Sequence, residues 1–418
     1  MSYTSRFPLA LAIAAGCLAA VTISLSAGGT PSRDELDALF ARHDREPDGP
    51  ARERLAARID AAAHQKYATV SRLYWHTDLE SARADARTHG RPILHLRLLG
   101  RLDEDLSCAN SRLFRATLYA NQEVSRFLRE RFVLYWSSER PVPRVTIDYG
   151  DGRRLERTTT GNSAHYVLDE DGNVLDVLPG LYAPAAFRRE LEGSLALAAR
   201  VRGLSDSERR KALVDYHQRQ VDAAQRDWER LAGKPGMPRL APARTPARAE
   251  PSIAAAQLAT VTKAMLELKD LRVIGKGLAP EALPEDEVER WSAAGRALYG
   301  GAGLKTAAPG VLDEASRALI GRLHNSVPGE MRATGEQLDA MIARLEQTIV
   351  ADSALNQLRL RPQIGGEILR RGGRIDFATL NAWIYAEVFR TPKEDAWLGL
   401  LPRDVFTGLP GDGVVVRK

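Results

Sequence analysis

The sequence predicts an α/β domain, a mixed sheet with flanking helices, followed by a mainly α-helical C-terminal domain. Three observations carry this. Between residues 67 and 200, short β-rich segments alternate with helical ones, the order expected of a sheet covered by helices. Inside that block, Gly150-Asp151-Gly152 and Asp171-Gly172 each separate two β-rich runs. They therefore read as hairpin turns. Beyond residue 252 the apolar residues recur at helical spacing in segment after segment.

Residues 31–66 form a helical lead-in. Leu36, Leu39, Phe40 and His43 make one stripe, Pro47 and Gly49 interrupt it, and Leu55, Ile59 and Ala62 begin a second. The sheet domain, 67–200, opens with "ATVSRLYW" as a strand candidate. A helix follows in "TDLESARADARTHG", with Thr77 and Glu80 as a capping box and Gly90 as its stop. "PILHLRLL" alternates as a strand should. After a loop, one helix is expected from about Cys108 to Arg131, with Ser107 as its N-cap and Cys108 inside the first turn. The apolar strand "FVLYW", the two hairpins and the helix "APAAFRRELEGSLALAARV" complete the block.

Residues 201–232 read as one long polar helix, with Leu213, Val221, Ala224, Trp228 and Leu231 on a face. The Pro/Ala/Arg-rich stretch 233–251 has no apolar face and reads as a linker. In 252–418, helices are expected at "IAAAQLATVTKAMLELK", "EDEVERWSAAGRALY", "LDEASRALIGRLH", "GEQLDAMIARLEQTIV" and "FATLNAWIYAEVF", without a fixed repeat. Phe377, Trp383, Tyr385, Phe389, Trp397 and Phe406 either line a partner groove or form the core of this region; Phe377, Leu380, Ile384 and Val388 share a helix face, which favours the core.

The chain has 418 residues and a net charge of +5, but acids and bases are interspersed and no nucleic-acid motif accompanies them, so no nucleic-acid partner is expected. From Phe7 to Ala27 the chain runs apolar without a charge, after one Arg and before Gly28, Gly29 and Pro31. Residues 1–30 are therefore either a cleaved signal peptide or an N-terminal membrane anchor through 7–27. Both place the body of the chain outside the cytoplasm, periplasmic or otherwise extracytoplasmic. Of the two cysteines, Cys17 lies in that segment, so the folded body carries only Cys108 and no internal disulfide. In an oxidising compartment such a thiol is buried and inert, paired with another molecule, or reactive.

About residues 75–192 resemble the thioredoxin-like superfamily, in the branch of exported thioredoxin-like domains. The residues that carry the resemblance are "YWHTDLESARADA", "GRPILHLRL", "SCANSRLFRATLYANQEVSRFLRERFV" and "GNSAHYVLDEDGNVLDVLPG". It implies that Cys108 stands at the family's nucleophilic cysteine and that Ser111 replaces the resolving cysteine, which removes the intramolecular disulfide cycle. It also implies that Ser163 stands where the family has a cis-proline, and that a hairpin replaces the family's middle helix.

The candidate site residues are Cys108 and Ser111 for chemistry and Ser163, His165 and Arg112 for binding. A helix N-terminus and Arg101, Arg112 and Arg115 favour a thiolate at Cys108, while Asp103, Glu104 and Asp105 oppose it. His165, two residues beyond Ser163 on the same strand face, is expected within reach of Cys108, or else serves as a sheet histidine with its hydrogen bonds filled. Spacings for a metal site or a phosphate loop are absent from the sequence, so neither metal nor cofactor is expected. The leading expectation is a cell-envelope binding or scaffold module without a full dithiol redox cycle, acting on an envelope protein partner. The alternative is a thiol–disulfide oxidoreductase or thiol-capture protein in which Cys108 is the sole nucleophile and an external thiol releases the mixed disulfide. A covalent homodimer through Cys108 is the third reading.

Overall fold

The computed structural model describes residues 33–159, 161–238, 261–262, 285–300, 311–326 and 332–391. The apolar run at 7–27, most of the predicted linker, the predicted helix after 252 except Val261 and Thr262, and the aromatics Trp397 and Phe406 lie outside these residues.

Helices α1 (Arg33–Arg45) and α2 (Pro50–Ala63) lead in as expected, packing Leu36 and Phe40 against Ile59 and Ala63. The predicted strand at "ATVSRLYW" is not formed. Residues Ala68–Ser71 make a helical turn, α3, between Tyr67 and Arg72, which both have positive φ. The Asp60 carboxylate accepts the Ala68 N–H at 2.8 Å, and this local side-chain bond outcompetes the ladder that the β-rich composition promises. Only His76 reaches the sheet, as an isolated parallel bridge to Tyr135.

Helix α4 (Leu79–His89) is capped by Asp78, whose Oδ1 accepts from the Ser81 N–H at 2.8 Å, and not by Thr77 with Glu80; Glu80 pairs with Arg83 instead. Gly90 ends it in the left-handed conformation, as expected. Strand β1 (Ile93–Leu99) then runs as an inner strand of the main sheet. The single helix predicted from Cys108 to Arg131 is instead two. The first, α5 (Ala109–Leu113), widens into a π turn over Phe114–Leu118. Asn121 then starts α6 (Gln122–Arg131) by accepting the Val124 N–H.

Strand β2 (Val133–Arg140) returns parallel to β1, the crossover that this helical connection makes possible. Strands β3 (Arg144–Asp148) and β4 (Arg154–Thr158) form a separate hairpin. Strands β5 (Ala164–Leu168) and β6 (Val174–Pro179) complete the main sheet in the order β2-β1-β5-β6, with β5 antiparallel to both neighbours. Helices α7 (Pro184–Val201) and α8 (Asp206–Leu231) follow, α8 beginning at the Ser205–Glu208 capping box.

Among the described residues, the helical region shows α9 (Glu285–Tyr299), α10 (Glu314–His324), α11 (Glu336–Leu355), α12 (Arg361–Arg370) and α13 (Phe377–Trp383). A π turn at Asn356–Leu360 joins α11 to α12, and a second, Ile384–Val388, extends α13. The sequence hides α12 because it contains Pro362 and two glycines; Pro362 falls in the first turn, where no N–H is required.

Both sheet faces are covered, which explains why β5 and β6 are buried end to end. On one face, Phe114 of the first π turn and Phe187 of α7 pack against His165, tilted and edge-on, at 4.7 and 4.8 Å between ring centroids. On the other, Phe377 of α13 packs against His95 and Tyr166, at 4.9 and 5.0 Å. One hydrophobic cluster runs from Leu73 through the sheet to Phe389, so the helical region shares its core with the sheet. Among the described residues no helix is long and apolar enough to cross a membrane.

Candidate functional site

The loop from β1 to α5 and the loop from β4 to β5 meet at Cys108. The Cys108 N–H donates to the Leu99 carbonyl at 3.1 Å and its own carbonyl accepts from Arg112 N. This makes Cys108 the N-cap of α5, displacing Ser107 from the role the sequence suggests. Its sulfur sits 3.0 Å from Ser163 Oγ and 3.4 Å from Ser111 Oγ, and the residue is fully buried. Gly161 closes the site from the opposite loop so tightly that a Cβ built there falls 2.2 Å from Cys108 Cβ.

Ser111, one turn into the helix, donates to Ser107 Oγ at 2.7 Å and stands 2.9 Å from the Cys108 carbonyl. Arg112 donates to Thr158 Oγ1 at 3.1 Å, and that hydroxyl in turn donates to the Ser107 carbonyl. The hairpin is thereby tied to the start of α5. Arg115 is buried, and its two Nη groups donate to the carbonyls of Leu102, Glu104 and Asp105 and to Ser107 Oγ. Burial lowers its pKa, opposed by Tyr67 and Asp105. Arg101 is taken by Asp103 and Glu104, and Asp105 by Lys66 and Tyr67, so these opposed charges are largely neutralised among themselves.

His165 does not hydrogen bond Cys108. Its Nε2 lies 2.7 Å from the Tyr119 hydroxyl, and desolvation pushes its pKa down to about 3, so it is a neutral core histidine at any ordinary pH. The second imidazole of the sheet, His95, is on the opposite face with Nε2 at 2.7 Å from Ser137 Oγ, and burial lowers its pKa strongly as well.

Gly161 and Asn162, which sequence reasoning does not single out, complete the enclosure together with Tyr385, read from the sequence only as a groove or core aromatic. Asn162 accepts at Oδ1 from Asn110 Nδ2 at 3.2 Å, and its carbonyl accepts the Tyr385 hydroxyl at 3.2 Å. Gly161 supplies the close approach. Nothing local marks the pairing of Asn162 with Tyr385, because it needs the helical region folded onto the sheet. Among the described residues no three His, Cys, Asp or Glu side chains are grouped to hold a metal ion.

Chemically, the arrangement holds a thiol among hydroxyls without access to solvent. Exchange with a disulfide requires the sulfur to reach a second sulfur, and here the path is filled by the Gly161–Ser163 loop. Comparisons of the chain with protein-family models, with curated proteins and with solved structures give no match.

Proposed function

We propose that the chain is a cell-envelope protein whose sheet domain is thioredoxin-like and acts as a binding or scaffold module without a dithiol redox cycle. The observation that carries this reading is the complete burial of Cys108 between α5 and the Gly161–Ser163 loop. Support for the thioredoxin-like assignment is topological. The β2-β1-β5-β6 order has a parallel crossover, then an antiparallel hairpin, then a helix, with Cys108 opening the crossover helix and Ser163 facing it from the residue before β5. The apolar run at 7–27 supports an extracytoplasmic location.

Alkylation of the full chain tests this reading. In native buffer Cys108 is expected to react with iodoacetamide at least a hundredfold more slowly than in 6 M guanidinium, following the opening equilibrium of the domain. Cys108→Ser is expected to retain the parent's set of envelope partners in affinity capture. A native rate equal to that of a free model thiol, or loss of captured partners in Cys108→Ser, establishes the thiol-capture alternative in its place.

A further inference from the structure

A cavity of about 210 Å³ lies between α1, the stretch after α3, the end of α6 and the edge strand β2. Its floor is apolar: Phe40, Phe132 and Leu134 are all buried side chains that line it. Three guanidinium groups line it as well, Arg33, Arg72 and Arg129, against the single carboxylate of Asp37. Each retains donor capacity. Arg33 donates to Asp85 at 2.6 Å, but that carboxylate is already shared with His76 and His89. Arg72 donates to Asp44 at 2.6 Å while its guanidinium stacks 4.6 Å from the Phe40 ring centroid. Arg129 donates to the Ser71 carbonyl at 2.8 Å, which is no anion. A guanidinium has five N–H groups, so a ligand can be held by all three. Burial lowers the Arg129 pKa, so this guanidinium is partly withdrawn from water where it lines the cavity.

Arginines over an aromatic and aliphatic floor match an anion joined to apolar carbon, not a free ion. The place of the cavity in the chain specifies the source. Arg33 follows the last residue of the apolar run, Ala27, by six positions, a span of at most about 20 Å even when fully extended. In an anchored chain the cavity is thus held within reach of the membrane surface. We propose that it holds the phosphate headgroup of an acidic phospholipid, with Arg33, Arg72 and Arg129 on the phosphate and Phe40, Phe132 and Leu134 against the adjoining carbons. The lipid source rests on the anchor reading; the binding chemistry does not.

The test is calorimetric titration of the full chain, in neutral detergent, with dihexanoyl phosphatidic acid, dihexanoyl phosphatidylcholine and inorganic phosphate. Phosphatidic acid is expected to bind at least about tenfold more tightly than either of the others. Arg129→Gln and Arg33→Gln are each expected to weaken it about tenfold, the loss of one charge-assisted contact. Their melting temperatures are measured beside the parent's, and whichever variant melts unchanged decides. Inorganic phosphate binding as tightly as the lipid, phosphatidylcholine binding equally, or unaltered affinity in the folded variant overturns the proposal. Sedimentation with neutral phosphatidylcholine vesicles through a carbonate wash tests the anchor separately. A chain that washes off removes the anchor, while the titration still reads the cavity.

Discussion

At residue 161 a Cβ would fall 2.2 Å from Cys108 Cβ, 3.3 Å from Cys108 Cα and 3.4 Å from Leu99 Cβ. These atoms belong to backbone or sit directly on it, so no rotamer change relieves the overlap. The need for glycine here is close approach, not a left-handed φ. Gly161→Ala is therefore expected to cost about 1–3 kcal/mol, the range for overpacking a filled site. In a Cys108→Gly background the same change is expected to cost clearly less, because the nearest atom is gone. Urea unfolding of the four chains checks this, and an equal cost in both backgrounds would falsify the contact as its cause. In the sequence, Cys108 and Ser163 are brought together only through the thioredoxin-like resemblance; the structure sets their side chains 3.0 Å apart. Arg112 and His165 are legible as residues but not as directions. Whether a side chain faces the sulfur or turns to Thr158 or Tyr119 depends on partners from 46 positions away.

Among the elements, the periodic helices and hairpins read well because their signal is local: stripes for α1, α2 and α8, and turn residues for β3–β4 and β5–β6. The failures come where one side-chain bond decides, as at Ala68 with Asp60, or where a π turn breaks the period after Leu113. Asp352 of α11 is another such bond. It is fully buried and accepts from Val261 N at 2.6 Å and from Thr262 N and Oγ1 at 3.1 and 2.5 Å, fastening a segment distant in sequence. Desolvation, only partly offset by these donors, raises its pKa to about 6 from 3.8. The folded state therefore keeps a proton that the unfolded chain releases above about pH 4. The contribution is present below that pH and is lost as pH rises to about 6, up to about 3 kcal/mol. Buried neutral His95, His165 and His217 act with the opposite sign, losing stability as pH falls below the range of a free imidazole. The readout is thus a difference. The unfolding free energy of Asp352→Asn minus that of the parent is expected to grow more positive from pH 4 to pH 6.5 and then level off. A difference that stays flat across this window shows that Asp352 is ionised in the fold.

For the molecule as a whole, the question is whether the sheet and the helical region are one unit or two. Composition argues for two, since 233–251 reads as a linker. The side chains argue for one. Arg361, opening α12, pairs with Asp176 of β6 at 2.6 Å and with Glu190 of α7. Asp176 also accepts from Ser194 at 2.7 Å and from Tyr216 of α8 at 2.8 Å, and Glu190 from Tyr299 of α9 at 3.2 Å. Burial opposes the Arg361 charge, but Asp176, Tyr216 and Glu190 outweigh it and hold its pKa above the usual value. Two further bonds cross nearby, Asn356 Nδ2 to the Leu181 carbonyl at 2.7 Å and Ala183 N to Ser353 Oγ at 2.8 Å. An arginine in "LRLRPQ" carries no trace of this role, because its two acids come from separate elements of the sheet domain. Arg361→Met leaves both carboxylates buried and unpaired and is expected to cost about 3–5 kcal/mol. Adding Asp176→Asn and Glu190→Gln is expected to recover a large part of that loss, since the penalty lies in the stranded charges rather than in the absent attraction. Calorimetry of the parent is expected to show a single transition spanning both regions. If the parent melts in two steps, or if the triple variant is no more stable than Arg361→Met, the buried network does not couple them and the two regions fold on their own.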